Sequence, residues 1–196
     1  MAPPFPTPKF VTGGCLCGQI RYRVDFPAHH DFEASSGTCQ CTLCRRQSGS
    51  LFFAYHQLAP ATTSFTFVTP STATTAPGSA PVPNSNNSTP IPDLKNPTAL
   101  LTYLADHTNP HSERGVCRAC GSWLYWRNRA HDVLALAVGT VDPLFLFGEG
   151  ADGVDVPLEG YGRALVNGGG GHYFVENAIR GVTDRRGRGK RPRRGG

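Results

Sequence analysis

Seven cysteines in three tight clusters constrain this 196-residue chain more than any other feature. Cys15 and Cys17 come first, then Cys39, Cys41 and Cys44, then Cys117 and Cys120, and none lies outside a cluster. An odd number argues against a disulfide framework. Thiolates gathered by C-x-C and C-x-x-C spacing are what a soft, tetrahedral zinc site needs. The first pair sits in GGCLCGQIRY (13–22), where glycines let the chain turn tightly around an ion. Ile20, Tyr22 and Val24 then alternate with Arg21 and Arg23, as a half-buried strand would. The last pair sits in VCRACGSWLYW (116–126), a knuckle followed by an apolar strand. Cys15, Cys17, Cys117 and Cys120 together supply four sulfurs, which close a tetrahedron and leave no position for substrate. The reading is a structural zinc that ties the two ends of the domain together. Its competitors are a redox-active pair or simple burial.

The middle cluster differs. TCQCTLCRRQSGS (38–50) offers three sulfurs within six residues. A zinc with three protein ligands keeps a fourth position for water or a substrate thiolate, the pattern of catalytic zinc. Two other readings compete. A fourth ligand from His56, His107 or His111 would close the site, or the three thiols would form a metal-free redox centre. Arg45 and Arg46 follow directly and would lower the thiol pKa values and attract an anionic substrate. An exposed basic pair of this kind is also simply a solvated one. Gln47, Ser48 and Gly49 read as a turn.

The order GGCLCGQIRY, CQCTLCRRQSGS, ERGVCRACGSWL resembles the glutathione-dependent formaldehyde-activating enzyme family, also called the centromere protein V/formaldehyde-activating domain. The resemblance covers roughly residues 10–147, with a weaker match through HYFVENAIRG (172–181). It implies an all-β fold, a zinc "tent" of small antiparallel sheets, spanning 10–181. It implies structural zinc on Cys15, Cys17, Cys117 and Cys120, and a second, catalytic zinc on Cys39, Cys41 and Cys44. It also implies a carbon–sulfur lyase activity that joins formaldehyde to glutathione, with glutathione as co-substrate. The chemistry fits independently of the name: an open zinc holds a thiol as thiolate near neutral pH, and formaldehyde needs only attack at carbon. Arg45 or Arg46 would hold a glutathione carboxylate.

Elsewhere the signals are mostly strands and turns. Leu51–Tyr55 form a short apolar run, Val133–Val138 and Leu144–Phe147 read as buried strands, and Phe65 and Phe67 alternate with polar neighbours. Trp123 and Trp126, at i and i+3, are expected on opposite faces of a strand. Residues 69–92 carry six prolines and no charge, and Val82 and Ile91 are their only large apolar residues, so a disordered insertion is expected. Their two glycosylation sequons, at Asn86 and Asn87, mean little without a route to secretion. Segment 93–106 suits either a helical turn or a strand. Residues 148–171 are Gly-rich and read as a flexible connection. Their acids (Glu149, Asp152, Asp155, Glu159) lack calcium-loop spacing, and no phosphate-loop GK[ST] follows the four glycines. The resemblance implies a return of the chain to the pocket in this region, which would bring His172 towards the second zinc, though a lone His is more often a surface or packing residue.

Charge narrows the partners. The chain has nineteen Lys+Arg against fourteen Asp+Glu, for +5. Residues 180–196 alone hold eight bases and Asp184, leaving eleven bases and thirteen acids in 1–179. The basicity is therefore a tail, placed at 182–196 and expected to be disordered. Such an arm binds polyanions without sequence preference, because it has no aromatic to stack on bases. A zinc-scaffolded binding module that contacts chromatin or nucleic acid through this tail is the rival to the enzyme. No apolar run approaches the ~18 residues of a membrane helix, and residues 133–147 are broken by Thr140, Asp142 and Pro143. MAPPFPTPKF lacks a signal-peptide core, so a reducing compartment is expected: the cytoplasm, or the nucleus if the tail is an address.

Overall fold

The computed structural model of the chain describes residues 5–59, 63–67, 88–90, 101–106, 109–151 and 159–184; between 60 and 110 it describes strand backbone alone. In chain order the strands are β1 (Phe10–Gly14), β2 (Ile20–Asp25), β3 (Ser36–Cys39), β4 (Phe53–Leu58), β5 (Thr63–Phe67), β6 (Ser88–Pro90), β7 (Leu101–Asp106), β8 (Asn109–Cys117), β9 (Trp123–Asn128), β10 (Val133–Ala137) and β11 (Gly171–Tyr173). Four short helices accompany them: α1 (Phe32–Ser35), α2 (Thr42–Ser48), α3 (Pro143–Phe147) and α4 (Gly162–Val166). The fold is mostly sheet.

One sheet has the order β1-β2-β5-β6 and is antiparallel throughout. The other is larger than the small sheets expected: seven strands in the order β11-β3-β4-β10-β9-β8-β7. It is mixed, because β11 runs parallel to β3. A bridge between Gly13 and Val141 links the chain of β1 to the segment after β10. Pro90 lies on the edge strand β6, where a missing N–H costs no ladder bond.

Strand alternation divides the large sheet into two faces. Leu134 and Leu136 of β10 join Leu58, Leu124 and Tyr125 in the main core, which also buries Val11, Ile20, Tyr22 and Val24 of the small sheet. Each fully buried Leu there contributes about 1.5–3 kcal/mol. On the opposite face, Ala135 and Ala137 pack with Phe53, Tyr55, Trp123 and Cys44. Cys39, Cys41, Trp126 and Tyr173 border that second cluster. The sheet thus keeps its main core on one side and the three-cysteine motif on the other.

Several expectations change here. Trp123 and Trp126 lie in the same cluster, not on opposite faces. The register shifts between Gly115 and Val116, so that Tyr125 faces Gly115 while Trp123 faces Val116. Leu124 is the extra residue of this bulge, and it resets the alternation. Leu144–Phe147 form α3, not a strand. Pro143 occupies the first helical position, where its fixed φ suits a helix, and Leu144 is exposed. Segment 93–106 ends in a strand, β7, over Leu101–Asp106. Of the expected insertion at 69–92, residues 88–90 form β6 and the rest lies outside the described residues. The glycines at 168–171 are packed, not a loose connection: a Cβ on Gly170 would come within 2.1 Å of the Ala34 carbonyl oxygen. The described chain continues past 181 because Thr183 is buried; residues 185–196, most of the basic tail, lie outside the described residues.

Candidate metal centres

The cysteines gather into two groups, and the first joins segments far apart in sequence. The sulfurs of Cys15, Cys17, Cys117 and Cys120 all lie within 4.8 Å of one another. Cys15 and Cys17 Sγ are 3.5 Å apart, and Cys17 and Cys117 Sγ are 3.8 Å apart. A tetrahedral ion with sulfur ligands at about 2.3 Å requires sulfur–sulfur edges of about 3.8 Å, so this donor set fits zinc. The two knuckles are built alike. Gly18 N–H donates to the Cys15 carbonyl at 3.0 Å, and Gly121 N–H to that of Cys117 at 2.8 Å. Both glycines take positive φ, 75° and 76°, which a side chain would strain. Ile20 N–H donates to Cys15 Sγ at 3.2 Å, and Leu16 N–H to Ser122 Oγ at 2.9 Å. Burial pushes the Cys15 thiol up. Burial also opposes ionisation of Cys120, but hydrogen bonds from Ser122 and backbone groups outweigh it and bring that thiol down to about 6.

The second group is local. Cys39 closes β3, Cys41 caps α2, and Cys44 lies in its first turn; their sulfurs also lie within 4.8 Å. Cys41 Sγ accepts the Cys44 N–H at 3.3 Å, which places the sulfur at the positive end of the helix. Hydrogen bonds from Cys39 and then Cys44 pull the Cys41 thiol far down. Its bond with Cys41 pushes Cys39 up to about 12, and Cys44 is pushed up by Cys39 and Cys41. Among the described residues no fourth His, Cys, Asp or Glu joins them.

The described candidates for a fourth ligand lie elsewhere. His56 is fully buried on the main-core side of β4, its Nε2 2.8 Å from His30 Nε2 and its Nδ1 3.3 Å from the Leu165 carbonyl. It therefore does not close the site. His111 is exposed at the other end of the sheet, and His107 lies outside the described residues. His172 reaches the strand that carries Cys39, but its Nδ1 meets Thr38 Oγ1 at 2.7 Å. The residue after it, Tyr173, packs by the sulfurs instead, its ring 6.3 Å from that of Tyr55. Burial, then the charges of Tyr173 and Cys39, keeps the Tyr55 phenol protonated. Sequence reasoning passed over Tyr173; its place in HYFVENAIRG, beside the His it did weigh, was the available signal.

Arg45 and Arg46 lie in the last turn of α2, half-buried and exposed respectively, where their charge complements the helix end. A cleft of about 430 Å³ opens between α2 and the second knuckle, lined by Gln47, Ser48, Phe53, Cys120, Ser122 and Trp123 among others. Neither arginine lines it, nor do Cys39, Cys41 and Cys44.

No described helix is long and apolar enough to cross a membrane. No curated protein matches the chain. Three solved chains match, among them that of a Rhodobacter sphaeroides protein, 17% identical, covering 74% of this chain and 97% of that one with a TM-score of 0.41. The sequence model of the glutathione-dependent formaldehyde-activating enzyme matches residues 10–88, which hold the first two cysteine clusters; the third lies beyond the match and joins the first through the fold. Over residues 10–88 the chain is thus similar to the glutathione-dependent formaldehyde-activating enzyme family.

Proposed function

We propose that the chain is a zinc-dependent carbon–sulfur lyase-type enzyme that adds glutathione, or a related thiol, to formaldehyde or cleaves such an adduct. The observation that carries this reading is the open trio Cys39, Cys41 and Cys44, with sulfurs within 4.8 Å and no fourth described ligand. Cys15, Cys17, Cys117 and Cys120 would hold a second, structural zinc and so complete a zinc tent. Zinc on the trio would supply a position at which the substrate sulfur is held ionised near neutral pH.

The chain's own groups do the rest. Addition forms one bond, from thiol sulfur to the formaldehyde carbon, and the carbonyl oxygen takes up the proton that the thiol gave up. Reversal breaks that bond and returns the proton. Tyr55 stays neutral and can donate a hydrogen bond on the face of the sulfurs. Phe53 and Trp123 supply buried aromatic surface on that face, bordered by the partly buried Tyr173. The adjoining cleft offers the hydroxyls of Ser48 and Ser122 to the polar body of a thiol substrate. Arg45 and Arg46, outside the cleft, would steer an anionic thiol instead of gripping it. Seven free thiols suit a reducing compartment such as the cytoplasm.

The test is consumption of glutathione by formaldehyde, followed by NMR, with the native protein and a Cys44→Ala variant. A native rate above the spontaneous one, lost in the variant, is expected. Equal rates for both would sink the reading.

A further inference from the structure

We propose that Gln40 and Thr183 are positioning residues for the trio, and that the strap formed by residues 171–184 sets how tightly Cys39, Cys41 and Cys44 hold a metal ion. The inference rests on the reading of those thiols as metal ligands and adds residues no cysteine pattern points to.

Gln40 sits between Cys39 and Cys41 and is only 2% exposed. Residues of the strap engage it at three atoms. Its N–H donates to the Tyr173 carbonyl at 3.0 Å. Its carbonyl accepts from Asn177 Nδ2 at 3.4 Å. Its side-chain Oε1 accepts from Thr183 Oγ1 at 2.7 Å. The Thr183 hydroxyl is itself aimed by the turn that carries it. Oγ1 accepts the Ile179 N–H at 2.9 Å, so its single proton is left for Gln40. Thr183 is 3% exposed, and the bond it makes is buried.

The path between these bonds is unusual. Phe174 adopts the left-handed conformation, φ 57° and ψ 47°, which bulky residues rarely take. That turn lets the chain leave β11 beside Cys39 and come back at Asn177 and Thr183 to the same glutamine. A backbone held at N–H, carbonyl and side chain cannot rotate freely. The two cysteines that flank it are therefore held in direction before an ion arrives. Partners of this kind, one bond removed from the ligands, typically change metal affinity by about 10–100-fold when lost.

The experiment uses the full-length chain as purified, challenged with increasing concentrations of a chromogenic zinc chelator while each zinc equivalent is followed. Cys44→Ser identifies the equivalent held by the trio. Thr183→Val removes the donor to Gln40 while keeping the shape. It should release the trio's zinc at about 10–100-fold lower chelator concentration, leave the four-sulfur equivalent at the native value, and be rescued by Thr183→Ser. If Thr183→Val does not fold, Asn177→Ala carries the test, with a smaller loss in the same direction. Unchanged release from the trio, or equal weakening of both equivalents, would overturn the proposal. A native protein with no equivalent sensitive to Cys44→Ser would overturn it together with the metal reading. Selective weakening in a protein that shows no activity on formaldehyde would sustain it and remove only the proposed reaction.

Discussion

Trp123 lies flat on Phe53, ring centroids 4.0 Å apart and planes 12° apart. The stack joins the residue two positions after Gly121 of the second knuckle to the strand paired with Cys39. It forms one wall of the cleft between the two thiol groups. The indole Nε1–H donates to the Tyr125 carbonyl at 2.7 Å, which fixes the ring's orientation. Trp123→Ala should cost about 3–5 kcal/mol, since it removes a large buried ring and leaves a cavity. Chemical denaturation checks this; a loss below about 1 kcal/mol would mean that the stack contributes little.

The contact between half-buried His30 and buried His56 predicts acid sensitivity. Burial lowers both groups, His56 to about 4. In the unfolded chain each takes a proton near pH 6.5. Between those values the unfolded state binds more protons, so stability falls as the pH drops. The contribution is fully present above about pH 6.5 and is lost progressively towards pH 4, with His56 accounting for about 3 kcal/mol. His30→Phe combined with His56→Leu should flatten the pH dependence of the unfolding midpoint across this window. A variant as acid-sensitive as the native chain would refute the assignment.

Asp142 accepts from Thr12 Oγ1 at 2.6 Å and pairs with the buried Arg21 guanidinium. It therefore ties both strands of the first hairpin to the segment after β10. Asp142→Ala leaves Arg21 charged and 8% exposed without this partner. The expected loss is about 3 kcal/mol, because breaking one side of a buried pair strands the other charge. Asp142→Asn, which keeps the Thr12 bond, should lose less.

Removing the two thiol groups should have unequal effects. Cys117→Ala opens the four-sulfur group that joins the first knuckle to the second. A structural zinc is worth about 10 kcal/mol, against a typical domain stability of about 5–15 kcal/mol. The native state should be abolished or nearly so. Cys44→Ala should leave a folded chain with one zinc equivalent. Circular dichroism and elemental analysis distinguish them; equal unfolding of both variants would contradict the division into structural and open groups.

Legibility in the sequence followed range. The thiol groups, the turns at Gly18 and Gly121, and β2, β5 and β10 were readable because cysteine spacing and period-two alternation are local signals. The pairing of Cys15 and Cys17 with Cys117 and Cys120 followed from counting sulfurs, since only that pairing gives four. The faces of Trp123 and Trp126 were not readable. One bulge residue, Leu124, inverts the parity, and a bulge depends on the neighbouring strand β8. Nor was the destination of His56, which the alternation of β4 turns away from the thiols and towards His30. The clasp on Gln40 reaches 143 residues along the chain to Thr183. What the sequence by itself determined is the chemistry: sulfur donors in sets of four and three, because ligand spacing is written within a few residues. What only the tertiary structure decided is which groups surround those sulfurs. Packing across a sheet and hydrogen bonds between distant segments depend on where the backbone goes, and no local pattern encodes that.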